Sequence, residues 1–305
     1  QERSAFAQGL KIWKGYYAKK LYVSLVKDDS VLSPKVPELM LLLTCAPEKL
    51  IRLFAKKAKQ TLVRRLKNNL PDKVLKSLFA SGLARNYTPK PGKVNAGDFQ
   101  RVTPFSFDFG FDRGGPVDRF YIENFLEANR EHVTGSVLEI GDNAYTMRFG
   151  GDRVKRSDIL HVDSRNEKAT YIGDITHVPE IPSGFFDCII FTQTLHLIYD
   201  FKSAVQTCHR ILKPGGCLLL TVPGISQVDY GEWKDYWLWS FTDTSIRRLL
   251  SESFQEKNVH VKSYGNVYVA TAFLYGMGLP EVKKDFLFYH DPAYQVLISA
   301  RAVKL

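Results

Sequence analysis

Ser136-Val-Leu-Glu-Ile-Gly-Asp-Asn143 decides how this 305-residue chain is to be read. An apolar run of strand length closes on a glycine, the residue that admits a tight turn and lets a ligand approach the backbone. Asp163 follows Gly141 by 22 positions, just past the apolar run Ile159-Leu-His-Val162. That is close to the roughly 20 positions that separate such a turn from an acid accepting from ribose hydroxyls. Asp174 and Ile175 follow a third short run, Ala169-Thr-Tyr-Ile172. Glu139, Asp163 and Asp174 thus stand at the ends of three successive strands, where open α/β sheets bind their ligands.

The alternation continues outward. Val117 to Ala128 reads as a helix before the first strand, and Phe186 to Phe191 as a fourth strand with Thr192-Gln193-Thr194 at its carboxyl end. Ser203 to Leu212 reads as a helix, Lys213-Pro-Gly-Gly216 as a tight turn, and Cys217 to Val222 as a fifth strand. A helix (Ser245–Phe254), a strand (Val259–Tyr264), a helix (Val267–Met277) and a last strand (Tyr294–Ala302) complete the pattern. Seven strands, mostly parallel, with helices between them predict a doubly wound α/β sheet. The Pro- and Gly-rich stretch Asn86–Gly97 reads as a linker, giving a basic, mainly helical N-terminal region over residues 1–97, with helices expected over Lys11–Val26 and Pro47–Phe79, and a catalytic-type domain over 98–305.

The ordered set Val137-Leu-Glu-Ile-Gly141, Asp163, Gly173-Asp174, Phe186-Asp-Cys-Ile-Ile190 and Ile211-Leu-Lys-Pro-Gly-Gly216 resembles the class I S-adenosylmethionine-dependent methyltransferases, with a seven-stranded Rossmann-like sheet, from about Pro116 onward. The resemblance implies Gly141 beside the methionine moiety of the cofactor, Asp163 on the ribose, and Asp174 with Ile175 around adenine. Glu139, Asp142, Asn143, Thr192 and Gln193 are assigned to the same cofactor site. One departure concerns the turn, which reads Gly141-Asp-Asn143 where the family usually has a second glycine. Asn tolerates a left-handed backbone better than most residues, so the turn is expected to survive. A dehydrogenase would need a GxGxxG turn to cradle a pyrophosphate, and this acidic turn suits a cationic sulfonium instead.

For the acceptor, the resemblance is to small-molecule methyltransferases that accompany glycosyltransferases in bacterial glycan or natural-product pathways. Methylation at a hydroxyl benefits from a base, and His196 just past the fourth strand is the candidate. Tyr230, Trp233 and Trp237, in the loop after the fifth strand, are assigned to the acceptor wall, with Asp229 and Glu232 orienting hydroxyls. Phe107 to Arg119 is expected to form a second wall and lid, with Asp112, Arg113, Asp118 and Arg119 as its polar tips and Arg113 as an acceptor contact. No metal site is expected.

Composition bounds the rest. An apolar share of 45% excludes wholesale disorder, and the longest apolar run, Leu39–Ala46, falls far short of the roughly 20 residues that span a bilayer. The chain opens Gln1-Glu-Arg3, unlike a secretory leader. Cys45, Cys188, Cys208 and Cys217 show no CxxC pair and read as buried thiols of a cytoplasmic protein. Residues 1–100 hold 20 Lys and Arg against 7 Asp and Glu, a balance of +13. That excess reads as a solvated helix face or as a membrane-surface or protein-docking region, placing the protein peripheral to a membrane. Nucleic acid is disfavoured because no base-reading motif appears. The alternative to an enzyme is a non-catalytic scaffold of the same fold docking through that region.

Overall fold

Val137, Cys188, Ile190, Cys217 and Leu219 share one buried cluster, whereas their chain neighbours Leu138, Ile189, Leu218 and Leu220 share another. Side chains alternate across a strand, so a sheet apolar on both faces must be covered on both. The computed structural model shows this arrangement. It describes Glu48, Ile51, Arg52, residues 70–81 and residues 87–305. The chain divides after Ala96, and Gly97–Leu305 forms a unit of its own. The helices expected over Lys11–Val26 and most of Pro47–Phe79 lie outside the described residues, except for α1 (Asp72–Ala80), which starts behind Pro71.

Seven strands form one sheet: β1 (Gly135–Ile140), β2 (Val154–His161), β3 (Tyr171–Ile172), β4 (Phe186–Thr192), β5 (Leu212–Pro223), β6 (Val259–Tyr264) and β7 (Leu297–Val303). Their order is β3-β2-β1-β4-β5-β7-β6. Pairings from β3 through β5 are parallel, and β7 runs antiparallel to both β5 and β6. The helices are α2 (Val117–Ala128), α3 (Phe201–Ile211), α4 (Asp243–Ser251), α5 (Val267–Leu274) and α6 (Lys284–Leu287). Buried residues of α3 and α4 join the Leu138 cluster, and those of α2 and α5 join the Val137 cluster, one cluster per sheet face.

Two local readings are corrected. β2 begins at Val154, five residues before the expected Ile159, because Val154–Ser157 pair only with β1 and stay partly exposed. Edge segments of this kind carry charge rather than apolar periodicity. Lys213–Gly216 bulges out within β5 instead of preceding it: Phe186 pairs with Leu212 and Cys188 with Cys217. Lys304 Nζ donates to the carbonyls of His209 and Leu212 at 2.7 and 2.8 Å, satisfying orphan acceptors at the end of α3. Cys188, Cys208 and Cys217 are free and buried, and burial pushes the thiols of Cys208 and Cys217 up to about 12.

Candidate active site

Behind β1 the chain turns at Gly141, with φ +96°, and an added Cβ there would meet nothing within 4 Å. The backbone is thus laid bare toward a cavity of about 1030 Å³ that Gly141 lines. Glu139 does not line that cavity. It is buried, and its carboxylate accepts from Thr146 N and Oγ1, both at 2.7 Å, and from Tyr145 N at 3.3 Å. It ties down the short helical turn after Gly141 instead of meeting a ligand, and burial raises its pKa to about 7. Asp142 points away as well, accepting from Ala144 N at 3.0 Å. Asn143 is not left-handed, contrary to expectation: among the described residues only Phe109 and Gln193 are non-glycines at positive φ. Its amide donates to Ser157 Oγ on β2 at 3.2 Å, so a side chain holds the turn where the family relies on a glycine.

Asp163, beyond β2, lines the cavity. Its carboxylate accepts from Arg165 N at 2.9 Å and Arg165 Nε at 2.7 Å, and these bonds hold its pKa down to about 2. Arg165 also pairs with Glu232 in the loop after β5 and lies over the Trp233 ring. Asp174 and the buried Ile175 line the same cavity after β3. Sugar hydroxyls donate to carboxylates, and an apolar side chain beside a carboxylate suits the face and exocyclic amine of a purine.

At the end of β4, Thr192 pairs with Thr221 in the sheet and is not a cavity residue. Gln193 is, with φ +47° and a buried Nε2 that has no partner. Strain of this kind in a non-glycine residue concentrates at functional sites. His196 also lines the cavity, its ring 4.3 Å from that of Trp237. Its Nδ1 is buried without a partner, and burial lowers the imidazole pKa to about 3, so the ring is neutral at physiological pH.

The opposite wall comes from the segment before α2 and the loop after β5. Phe109 stacks on Trp237 with centroids 5.9 Å apart and planes at 14°. Ser106 Oγ accepts from Asp108 N and Gly110 N at 3.0 and 3.1 Å, fixing the backbone around Phe109. This segment is pressed against residues 276–280: a Cβ on Gly276 would lie 2.3 Å from Ser106 O, and one on Gly278 1.8 Å from Arg113 O. It is a docked wall rather than a loose lid. Arg113 faces away from the cavity, its Nε donating to Glu281 at 2.9 Å. Trp233 and Trp237 line the cavity, whereas Tyr230 does not and packs edge-on to Phe107 at 4.9 Å. The two acids expected to orient acceptor hydroxyls are engaged, Glu232 with Arg165 and Asp229 with Trp233 N at 2.8 Å.

Sequence reasoning placed Asp118 among the polar tips of the second wall without assigning it a role in the site. It lies in the first turn of α2, is only 9% exposed, and lines the cavity with Oδ1 unpartnered. Burial raises its pKa against the pull of Arg119, whose Nη1 is 3.3 Å away. The signal was faint, because an acid in the first turn of a helix is favoured by the dipole alone. Seven carboxylates and two guanidinium groups line the cavity. Such an excess draws a cation, and with Gly141, Asp163, Asp174 and Ile175 in one strip these residues fit a sulfonium-bearing nucleoside.

Comparison with known proteins agrees. A family model described as a methyltransferase domain matches residues 143–220. A probable polyketide synthase 10 of Dictyostelium discoideum is 36% identical over 67 residues, 21% of this chain and 3% of the synthase. The ubiquinone/menaquinone biosynthesis C-methyltransferase UbiE of Pectobacterium carotovorum is 28% identical over 86 residues, 28% of this chain and 32% of that enzyme. The chain therefore spans about a third or less of these relatives. A solved S-adenosylmethionine-dependent methyltransferase of Thermotoga maritima aligns over 62% of this chain and 92% of its own, at 16% identity and a TM-score of 0.42. The match to a methyltransferase domain thus lies across β2 to β5, within a seven-stranded sheet in the order expected of a class I S-adenosylmethionine-dependent methyltransferase.

Proposed function

We propose that the chain transfers a methyl group to a hydroxyl of a small, ring-bearing acceptor held against Phe109, Trp233 and Trp237. The observation that carries this reading is the set of buried polar atoms without partners, Gln193 Nε2, His196 Nδ1 and Asp118 Oδ1, on three residues of one cavity. Native interiors rarely leave such groups unpaired, and an acceptor hydroxyl satisfies them. Asp229 and Glu232 are already engaged, so recognition falls to aromatic faces, which take a phenolic or a sugar ring alike. An acceptor from glycan or secondary-metabolite chemistry meets that description.

Bound S-adenosylmethionine supplies an electrophilic methyl carbon on a sulfur leaving group. The protein contributes alignment, which accounts for much of the rate of an in-line displacement. His196, with its pKa near 3, orients the hydroxyl as a neutral hydrogen-bonding group. Asp118, buried in the cavity wall with Oδ1 unpartnered, takes the hydroxyl proton. The charge of residues 1–100 supports a docking role for that region on an anionic surface. The test is transfer of labelled methyl to a panel of phenols and glycosides. Asp118→Asn is expected to lower kcat by roughly 10²–10⁴-fold, and Trp237→Ala to act mainly on the acceptor KM. Transfer to carbon or nitrogen nucleophiles with none to hydroxyls overturns the reading.

A further inference from the structure

Asp163 is already occupied where the ribose has to bind. Its carboxylate offers about four acceptor sites, and Arg165 alone takes three: backbone N on Oδ1 at 2.9 Å, with Nε and Nη2 on Oδ2, both at 2.7 Å. A ribose diol brings two O–H donors and finds one site open. The guanidinium has a second partner, because its Nη1 pairs with Glu232, 67 positions along the chain in the loop after β5. Its Cζ lies 5.9 Å from the Trp233 ring centroid. Asp229 Oδ2 accepts from Trp233 N at 2.8 Å, so residues 229–233 form one tied turn. Asp163, Arg165, Glu232 and Trp233 all line the cavity.

We propose that Arg165 is a positioning residue that couples the cofactor half of the site to the acceptor half. Ribose hydroxyls displace its guanidinium from Asp163, and the released fork closes onto Glu232, drawing Trp233 against the acceptor. This rests on the cofactor reading above and gives it an order, cofactor before acceptor. Two N–H groups of the fork match the two oxygens of the Glu232 carboxylate. The bond from Arg165 N to Asp163 Oδ1 does not involve the guanidinium, so the carboxylate stays aimed during the exchange. The side chains of Asp163, Arg165 and Glu232 are 39%, 58% and 53% exposed. Ion pairs that exposed contribute little singly, so the exchange costs little. By linkage, whatever holds Arg165 on Glu232 favours the cofactor, and the cofactor favours the closed loop by the same factor.

The test is calorimetry on the full chain with S-adenosylhomocysteine, which lacks the sulfonium charge and so responds little to a change in cavity charge alone. Arg165→Gln removes the competitor for Asp163 and is expected to tighten binding roughly two- to fivefold, the scale of one exposed ion pair. Glu232→Gln deprives the guanidinium of its alternative partner and is expected to weaken binding by a similar factor. In the double variant the effect of Glu232→Gln vanishes, and the affinity is that of Arg165→Gln alone. A brace that only shapes Asp163 for the ribose gives the opposite sign at Arg165. Weaker or unchanged binding by Arg165→Gln, unchanged or tighter binding by Glu232→Gln, or additive effects in the double variant overturns the proposal and leaves the cofactor reading standing. Wild-type chain that does not bind S-adenosylhomocysteine overturns the cofactor reading and this proposal with it.

Discussion

Glu139→Gln isolates the group that ties down the turn behind β1. Glu139 is 2% exposed, and burial lifts its pKa from 4.5 in the open chain to about 7 in the fold. The folded state therefore holds this proton more tightly than the unfolded state. Its contribution to stability is complete below pH 4.5 and is lost as pH rises through about 7. At about 1.4 kcal/mol per pKa unit, that interval amounts to about 3 kcal/mol. Glutamine cannot ionise, so the variant should gain about 3 kcal/mol on the wild type between about pH 4 and pH 8. Urea unfolding at the two pH values measures this, and all other titrating groups cancel in the comparison. A difference between the two proteins that stays constant within about 0.5 kcal/mol, or moves the other way, refutes the argument.

Two further outcomes are expected. Asp163→Asn keeps the shape of the side chain and removes the charge that Arg165 holds ionised, so S-adenosylhomocysteine affinity should fall roughly tenfold or more by calorimetry; an unchanged Kd would move the ribose contact elsewhere. Gly278→Ala drives a Cβ to 1.8 Å from Arg113 O and should cost upwards of about 3 kcal/mol. Gly141→Ala meets no atom within 4 Å and carries only the strain of φ +96°, about 1–2 kcal/mol. A Gly278 variant that melts no lower than the Gly141 variant contradicts the close docking of the two segments.

The parts of the molecule that were legible in the sequence are those where one physical requirement dominates. Val117–Ala128, Val259–Tyr264 and the β1 stretch have strong apolar periods and clear ends, and the elements form there. The strip Gly141, Asp163, Asp174 and Ile175 could be read because strand ends and a glycine turn place it on one side of the sheet. Illegible were the roles set by long-range partners. Nothing local marks Arg113 as the partner of Glu281, 168 positions away, or leaves Asp118 half-satisfied in a cavity wall. Gln193 adopts positive φ just past the end of β4, geometry that a propensity scale assigns to glycine. Glu139 looked like a ligand contact by position; only its three donors reveal that it serves the backbone.

Cys188 and Cys217 face each other across β4 and β5 in the middle of the sheet, and Cys208 lies on the buried face of α3. Each is at most 1% exposed, and each thiol is held protonated by its surroundings. A thiol-directed reagent needs both access and thiolate, and at these positions access comes when the central strands part or α3 lifts. Their labelling rate is thus a clock for opening of the domain. It runs at the pace of the rare unfolded or partly unfolded population when reclosing is fast. Ligands that stabilise the closed fold slow that clock by their own binding free energy.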